Sequence, residues 1–530
     1  MKNWDWQAIF GLDLDRHRIG RSLMIRGLAL VYFVAICSWW TQVALLVGEN
    51  GLAPAAGVHA ILSERLGEAG ESPFFALPSV FWILGTSDFA LQFVCFVGAM
   101  LAILVLIGRL SGFALVGLWI IYLSLVNTGG VFMSFQWDIL LLEVGFLAIF
   151  LCDWKLHSPW KNPSPLSVIN QIALVWSWLV IAKLMFFSGW VKIAWASEAS
   201  PEWWPERSAM LYHYMTQPLP TWTAWHAHHL PEGIHYLSVW PMYFIELVLP
   251  FAILFGRFGR LTAAIGFTLL MVLILATGNY TYFNGLTIVL CLPLVADRLW
   301  PGWFRSLLGF QPLGLTSPPS KKPLFIKLAF VSPILLCVVL LNLQVVLSDL
   351  HNAPNPALKK APTPQWLDSL RRELAPFHLT SGYGLFRTMT TKRPEIILEG
   401  SWDGRTWFEY DFAWKVDELS DRPKFVAPHQ PRVAWQFWFA ALEQRFNPRS
   451  RNAQWFESLV AKLLQDDPAV ESLLKRNPFP DSPPRLIRAR LYDYQFTTPE
   501  ERDQTGDWWK RVVIGEYLSA VSLNEPDAVP

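Results

Sequence analysis

The chain has 530 residues and a formal net charge of +1, and 53% of its residues are hydrophobic. The near-zero charge excludes a strong overall attraction to nucleic acid. Long apolar runs fill the chain as far as residue 347, and ordinary soluble patterning follows. The composition therefore predicts a membrane part followed by a part that folds in water.

Nine apolar runs approach the length of about 20 residues that a helix needs to cross the hydrocarbon core. The first run is long and has no small-residue cleavage site, so we expect it to stay as a span and not to be a cleaved signal. The nine predicted spans cover residues 22–47, 82–107, 110–126, 134–151, 168–190, 237–255, 261–277, 284–299 and 326–347.

Lysine and arginine residues are concentrated in the links on one side of the predicted bundle. Because cytoplasmic links carry the excess of basic residues, we expect the N-terminus in the cytosol. An odd number of spans then places the C-terminal part in the lumen of the endoplasmic reticulum, or in the periplasm if the membrane is a bacterial inner membrane. The far side has three basic residues, Arg65, Lys192 and Arg207, and the N-terminal side has fourteen: Lys2, Arg16, Arg18, Arg21, Arg109, Lys155, Lys161, Arg257, Arg260, Arg298, Arg305, Lys321, Lys322 and Lys327.

Three regions follow from this organisation. Residues 1–347 form the multi-span domain, residues 348–365 form a proline-rich linker, and residues 366–530 form a soluble domain. Within the first region, the far-side loop 191–236 is rich in tryptophan and histidine. A loop with so many aromatic residues is expected to fold against the membrane surface or the mouth of the bundle.

The soluble domain has the alternating pattern of β-strands. Residues 395–400 and 488–497 are predicted strands, and Asp403-Gly404 predicts a type I′ hairpin turn before a half-buried strand from Phe408 to Trp414. Residues 452–465 and 467–475 are predicted helices. The fold class is thus a polytopic α-helical membrane bundle of about nine spans followed by a mainly β, sandwich-like domain with helical insertions.

Charges inside spans are costly and usually face the bundle interior, so Asp138, Glu143 and Lys183 are candidates for an intramembrane site. Lys192, just past the fifth span, and His213, in the loop 191–236, are further candidates. Two interpretations stay open. Asp138 or Glu143 forms a structural ion pair with Lys183 or Arg26, or these groups line a polar substrate cavity. The five cavity candidates are Asp138, Glu143, Lys183, Lys192 and His213.

Cofactor and metal motifs are not apparent in the sequence. All five cysteines lie in or beside apolar runs, so we expect neither a disulfide framework nor thiol exchange. The histidines of the loop 191–236 have no Cys, Asp or Glu partner at a fixed ligand spacing. We therefore expect no metal and no cofactor.

Several long stretches resemble the lipase maturation factors, and the match covers nearly the whole chain. A shorter stretch, Gly189–Trp195, which contains Lys192, is distantly similar to the multi-span domain of the vitamin K-dependent gamma-carboxylase type. The stretches similar to the lipase maturation factors are Phe132–Glu143, Tyr212–Tyr214, Thr216–Trp222, Tyr383–Met389, Phe425–Arg432 and Asn477–Pro480.

The resemblance implies a membrane protein of the endoplasmic reticulum and secretory pathway that assists the folding and assembly of secreted clients such as lipases. Its partners would be a secreted client and membrane lipid, with no nucleic acid. The alternative is a membrane-embedded enzyme acting on a lipid-soluble substrate in an intramembrane cavity; we expect a non-enzymatic role. The candidates for client binding are Trp203, Trp204, Trp222, Trp225, His429, Arg432, Trp435 and Trp438.

We predict that the two ends of the chain lie on opposite sides of the membrane, because an odd number of spans separates them. Reporters that are active on only one side, fused in separate experiments before residue 1 or after residue 530, measure this directly. The N-terminal fusion should be active with a cytosolic reporter and the C-terminal fusion with a far-side reporter. Activity of both ends on the same side would contradict the assignment.

Overall fold

The computed structural model describes residues 14–68, 70, 72–158, 160–161, 163–310, 321–354 and 363–523. Its first part contains one helix for each predicted span. In chain order these helices are α1 (Arg18–Trp40), α2 (Asp88–Leu106), α3 (Ser111–Thr128), α4 (Gln136–Leu151), α5 (Val168–Ala194), α6 (Glu232–Tyr243), α7 (Gly256–Thr277), α8 (Phe283–Cys291) and α9 (Lys321–Asn352).

Seven helices of the described chain are long and apolar enough to cross a membrane by length and composition. Helix α4 has 16 residues, and α8 with its following turn covers only Phe283–Leu294, so both fall below that length. The polytopic helical bundle is confirmed, with seven helices of spanning length where about nine spans were predicted. Helix α9 continues past the predicted start of the linker at residue 348, and residues 355–362 of that linker lie outside the described residues.

Helix α6 does not end at a loop but continues through an irregular turn. A π-helical turn, Phe244–Val248, follows it, and a short helix, Leu249–Ala252, completes the span. Pro250 has no N–H to donate to the carbonyl of Glu246, so the regular i→i−4 ladder is interrupted there. This irregular turn carries the buried side chain of Glu246.

The loop after α5 is folded rather than extended. It contains two short helices, Met210–Thr216 and Trp222–His228. Trp203 and Trp225 are buried. The Nε1 atoms of these two residues donate to main-chain carbonyls of the C-terminal part, which packs against this loop.

The C-terminal part is built around antiparallel sheets, as predicted. The strands are β1 (Pro394–Ser401), β2 (Phe408–Glu409), β3 (Asp411–Phe412), β4 (Leu474–Arg476), β5 (Leu486–Phe496) and β6 (Trp509–Val521). One sheet has the order β2-β1-β5-β6, and a small second sheet pairs β3 with β4. Strand β1 is central and buried along its whole length, with Ile396 opposite Leu491 of β5.

In the described part of this domain, five α-helices accompany the sheets. The aromatic run 435–439 lies on one of them and is buried in the core, with Phe437 against Trp455. The predicted helix 467–475 is shorter than expected: Asp467 caps it and Pro468 begins it, but it ends at Glu471 because β4 follows. The helices are α10 (Gln365–Leu374), α11 (Arg432–Ala441), α12 (Ala453–Leu464), α13 (Pro468–Glu471) and α14 (Pro499–Thr505).

The predicted two-residue type I′ turn is wrong, although a hairpin is present. Strand β1 reaches Ser401 and β2 begins at Phe408, so residues 402–407 form a longer link. Asp403 stabilises this link because its carboxylate accepts from the N–H groups of Arg405 and Thr406, each at 2.8 Å. The predicted strand from Phe408 to Trp414 is also divided, into β2 and β3, which belong to different sheets.

Gly404 has a φ of +72°, and a Cβ atom there would lie 3.3 Å from Cδ1 of Leu486. We predict that Gly404→Val destabilises the C-terminal domain by about 1–3 kcal/mol, because a β-branched residue resists this conformation. The measurement is the urea concentration at which a protease begins to cut this domain in the full-length protein.

Gly515→Val is the matched control, because Gly515 lies in β6 and a Cβ atom there meets nothing within 4 Å. Equal urea midpoints for the two variants would contradict the role assigned to Gly404.

Candidate functional site

An arginine of the C-terminal domain reaches the interior of the membrane bundle. Arg432 begins α11, and its Nη1 and Nη2 atoms lie 2.8 and 3.0 Å from the two carboxylate oxygens of Asp138, in the first turn of α4. Both side chains are 0% exposed. Tyr122 and Tyr282 also donate to Asp138, at 2.7 and 2.5 Å. The two charges of this bidentate pair therefore balance each other, and the tyrosine hydroxyls satisfy the carboxylate further.

The charge state of Arg432 follows from this pairing. Burial lowers the pKa of Arg432, but the charge and hydrogen bonds of Asp138 outweigh burial and raise that pKa above its usual value. The guanidinium also donates to the carbonyl of Phe132. Arg432 is thus a charged anchor between the two parts of the chain.

A second buried contact involves Glu143 and Lys183, which face each other from α4 and α5. Lys183 Nζ lies 2.6 Å from Glu143 and 3.0 Å from the hydroxyl of Thr380. The hydroxyl of Tyr383 donates to the other carboxylate oxygen of Glu143. Burial and the negative charge of Glu143 hold the pKa of Tyr383 well above its ordinary value, so the phenol stays protonated and donates.

A short segment before α11 completes the contact. Gln430 accepts a hydrogen bond from Trp137 at 2.9 Å, and Gln42 of the segment after α1 donates to the carbonyl of Gln430 at 2.8 Å. His429 Nδ1 lies 3.0 Å from the hydroxyl of Ser38. We use the term docking interface for the contacts that Tyr383, Arg432 and the segment 429–430 make with the bundle.

Lys192 and His213 lie elsewhere, at the C-terminal end of α5. Lys192 Nζ is 2.8 and 3.0 Å from the carboxylate oxygens of Glu246 and 2.8 Å from the carbonyl of Ser188. This pair and His213 line a cavity of about 190 Å³, which Asp138, Glu143 and Lys183 do not line. Lys183 instead borders an apolar groove between α5 and α9.

The five cavity candidates therefore separate into three buried sets. Glu143 pairs with Lys183, which is one of the pairings weighed from the sequence. Asp138 pairs with neither Lys183 nor Arg26 but with Arg432, 294 residues away. Sequence patterns give no signal for a pair of that separation. Glu246, the partner of Lys192, lies inside the predicted span 237–255.

The tryptophans proposed for client binding make internal contacts in this structure. Trp203, Trp225 and Trp438 donate to the carbonyls of Phe386, Thr497 and Thr216. The ring of Trp435 packs 4.8 Å from that of Trp137, and Trp222 packs edge-on against Phe425. Trp204 is exposed. Client binding by these residues, His429 and Arg432 stays a prediction.

Among the described residues, one cluster of three acidic side chains is compact enough to hold a metal ion. Asp411, Glu418 and Asp421 bring their oxygens within 4.8 Å of one another. Lys475 Nζ lies between 2.7 and 3.3 Å from all three carboxylates. An internal ammonium therefore already occupies the centre of this cluster and offsets part of its negative charge.

We predict that Arg432→Met lowers the stability of the full-length protein by about 3–5 kcal/mol, because it leaves the buried carboxylate of Asp138 unpaired. The double variant Arg432→Met with Asp138→Leu should regain most of that loss, since neither charge is then buried. Thermal unfolding in detergent micelles measures both effects.

Arg476→Met is the matched control, because Arg476 pairs with Glu418 at 2.8 Å but is 60% exposed. Its effect should stay below about 1 kcal/mol. A loss for Arg432→Met no larger than for this control would contradict the buried pair.

The comparisons with known proteins agree with this two-part construction. The model of the lipase maturation factor transmembrane domain matches residues 19–302, and that of the lipase maturation factor C-terminal domain matches residues 379–519. Lipase maturation factor 2 of Homo sapiens is 32% identical to this chain, and the match covers 96% of this chain and 83% of that protein. Lipase maturation factor 1 of Bos taurus is 30% identical, and the match covers 95% of this chain and 89% of that protein. No solved structure matches significantly. Both family models and these relatives lead to one conclusion: the chain belongs to the lipase maturation factor family.

Proposed function

We propose that this protein is a non-enzymatic maturation factor that assists secreted clients, such as lipases, to fold and assemble. The names of its relatives suggest the class of client. In this proposal residues 1–347 form the membrane body, residues 348–365 the linker and residues 366–530 the client-facing domain. The observation that carries the proposal is the docking interface, where Arg432 and Tyr383 of the folded domain bind the buried carboxylates of Asp138 and Glu143 in the bundle.

The arrangement of charges favours this role over an intramembrane enzyme. A substrate cavity joining Asp138, Glu143, Lys183 and Lys192 would favour catalysis. Instead, each carboxylate forms an ion pair and accepts a hydrogen bond from a tyrosine. Asp138 binds Arg432 and Tyr122, and Glu143 binds Lys183 and Tyr383. A carboxylate held in this way stabilises a contact and is poorly placed to exchange protons with a substrate.

The proposed location is the membrane of the endoplasmic reticulum, or the inner membrane if the source is bacterial. The C-terminal domain then lies in the lumen or periplasm, where secreted clients fold. Support for this orientation comes from the basic residues, which are concentrated in links on the side of the N-terminus.

Strand β6 offers a surface suited to a client that is not yet folded. It is the outermost strand of the four-stranded sheet. Three consecutive apolar residues in its middle are exposed: Val512 by 69%, Val513 by 51% and Ile514 by 48%. Natural edge strands usually avoid such exposure, because an open apolar edge pairs with other chains.

The ends of this edge are covered while its middle is open. Near one end, the N–H of Trp509 donates to the carbonyl of Leu419 at 3.1 Å, and near the other the N–H of Phe446 donates to Tyr517 at 2.8 Å. We infer that an extended apolar client segment pairs with β6 between these contacts. Main-chain hydrogen bonds supply affinity with little dependence on sequence, which suits clients held before they fold.

The test coexpresses the full-length protein with a secreted lipase that requires a maturation factor, in cells without one of their own. We predict that Val512→Lys with Ile514→Lys reduces the specific activity of the secreted lipase by about fivefold or more. Two charged side chains should weaken apolar contacts by at least 1 kcal/mol. Membrane abundance of the variant should be unchanged.

Ile61→Lys is the control, because Ile61 is also an exposed apolar residue but lies on the helix Ala55–Glu68, away from β6. If the wild-type protein does not raise lipase activity, the proposed function is wrong. If it does, but the β6 variant behaves like Ile61→Lys, the client surface lies elsewhere.

A further inference from the structure

The cavity beside Lys192 has the size and lining of a small ligand site. It measures about 190 Å³ and lies between α5, the irregular turn of α6 and α7, with Leu385 and Phe386 of the C-terminal part on its wall. An apolar cavity of about 150 Å³ can hold a benzene molecule. This one therefore accommodates roughly eight carbon atoms. Its side chains are mostly apolar and include four methionines, Met185, Met210, Met242 and Met271.

Methionine gives such a wall an adaptable shape, because its side chain is unbranched and polarisable. The irregular turn Phe244–Val248 supplies the charged part of the wall through Glu246. π-helical turns are frequent at functional sites. The wall is thus able to adjust to a flexible apolar molecule.

One buried polar atom of the cavity lining has no hydrogen-bond partner among the described residues. Lys192 and Glu246 satisfy each other, and Lys192 also donates to Ser188. His213 Nδ1 is buried without a hydrogen-bond partner. Its ring is held edge-on against Phe386, with the centroids 4.9 Å apart.

The cavity carries no free charge that would select an ionic ligand. Burial and the nearby Lys192 lower the pKa of His213 to about 4, so its imidazole is neutral near pH 7 and offers one donor and one acceptor. The ammonium of Lys192 is already paired. Burying a second, uncompensated carboxylate here would be costly.

One residue of the cavity lining is also exposed at the surface of α7. Leu273 of α7 belongs to the cavity wall and is 56% exposed on the outside of the bundle. Because α7 is one of the membrane-spanning helices, that exposed face meets hydrocarbon. A molecule dissolved in the membrane would meet this face without passing through water.

We propose that this cavity binds the uncharged polar end of a membrane amphiphile of the fatty alcohol or acylglycerol class. The hydroxyl or carbonyl group hydrogen-bonds to His213, and about eight carbon atoms pack among the methionines. The remainder of the chain leaves past Leu273 into the bilayer. This ligand site is separate from β6 and does not depend on client binding.

The experiment uses the full-length protein in phosphatidylcholine nanodiscs and two photoreactive probes of equal chain length, a fatty alcohol and a fatty acid. Each probe carries a diazirine near its polar end. We expect the alcohol to label peptides containing Met242 or Met271, and an excess of unlabelled alcohol to suppress that labelling. The fatty acid should label these peptides about fivefold less or weaker still, as expected when a carboxylate lacks a compensating partner.

His213→Phe keeps the ring against Phe386 but removes both nitrogens, and it should reduce alcohol labelling about fivefold, the effect of losing one hydrogen bond. His226→Phe is the control, because His226 is exposed and does not line the cavity. Met242→Trp fills the cavity and should abolish labelling in protein of normal abundance; it decides the question if His213→Phe fails to accumulate. Equal labelling by both probes, or labelling unchanged in either cavity variant, would overturn the proposal.

Discussion

The structure depends on one bidentate ion pair that joins a water-facing domain to the interior of a membrane bundle. Arg432 and Asp138 are both fully buried, and each is the charge partner of the other. An isolated charge in this position would be strongly unfavourable. The hydroxyls of Tyr122 and Tyr282 complete the shell around the carboxylate. The bundle therefore holds a compensated charge at this point only when the C-terminal domain is docked.

The docking interface also explains how the rest of the molecule is arranged. Tyr383 and the segment 429–432 contact the bundle, while β6 is the outermost strand of the sheet and the middle of that strand is exposed. The same inward contacts bring Phe386 over the cavity at the end of α5. A docked domain keeps its edge strand in a constant position relative to the bundle, as the proposed function requires.

Sequence patterns predicted the parts of this fold that repeat locally. Apolar runs located the helices of the bundle, and strand-like segments at 395–400 and 488–497 located β1 and β5. The runs did not show that α4 and α8 are short, because buried neighbours, and not lipid, cover helices such as α4. Asp403-Gly404 indicated a hairpin but not its longer link, since the Asx contacts of Asp403 depend on where β2 resumes pairing.

The candidate site was harder to predict, because its contacts join distant parts of the chain. The sequence showed that Asp138 and Glu143 needed partners, and it supplied Lys183 but not Arg432. The family-like stretches Phe132–Glu143, Tyr383–Met389 and Phe425–Arg432 contain the residues that meet in the docking interface. The sequence showed that these stretches resemble the family. It did not show that they contact each other, because no periodicity relates residues 294 positions apart.

Hydrogen exchange of the full-length protein in nanodiscs, followed by mass spectrometry, tests the central claim most directly. If the C-terminal domain is docked through buried charges, the amides of residues 429–441 exchange as slowly as those in the middle of α1, because Arg432 N–H donates to Gln42 and the following turns are buried. Exchange of this segment as fast as that of the exposed link 402–407 would show that the domain is not held on the bundle, and would contradict the account.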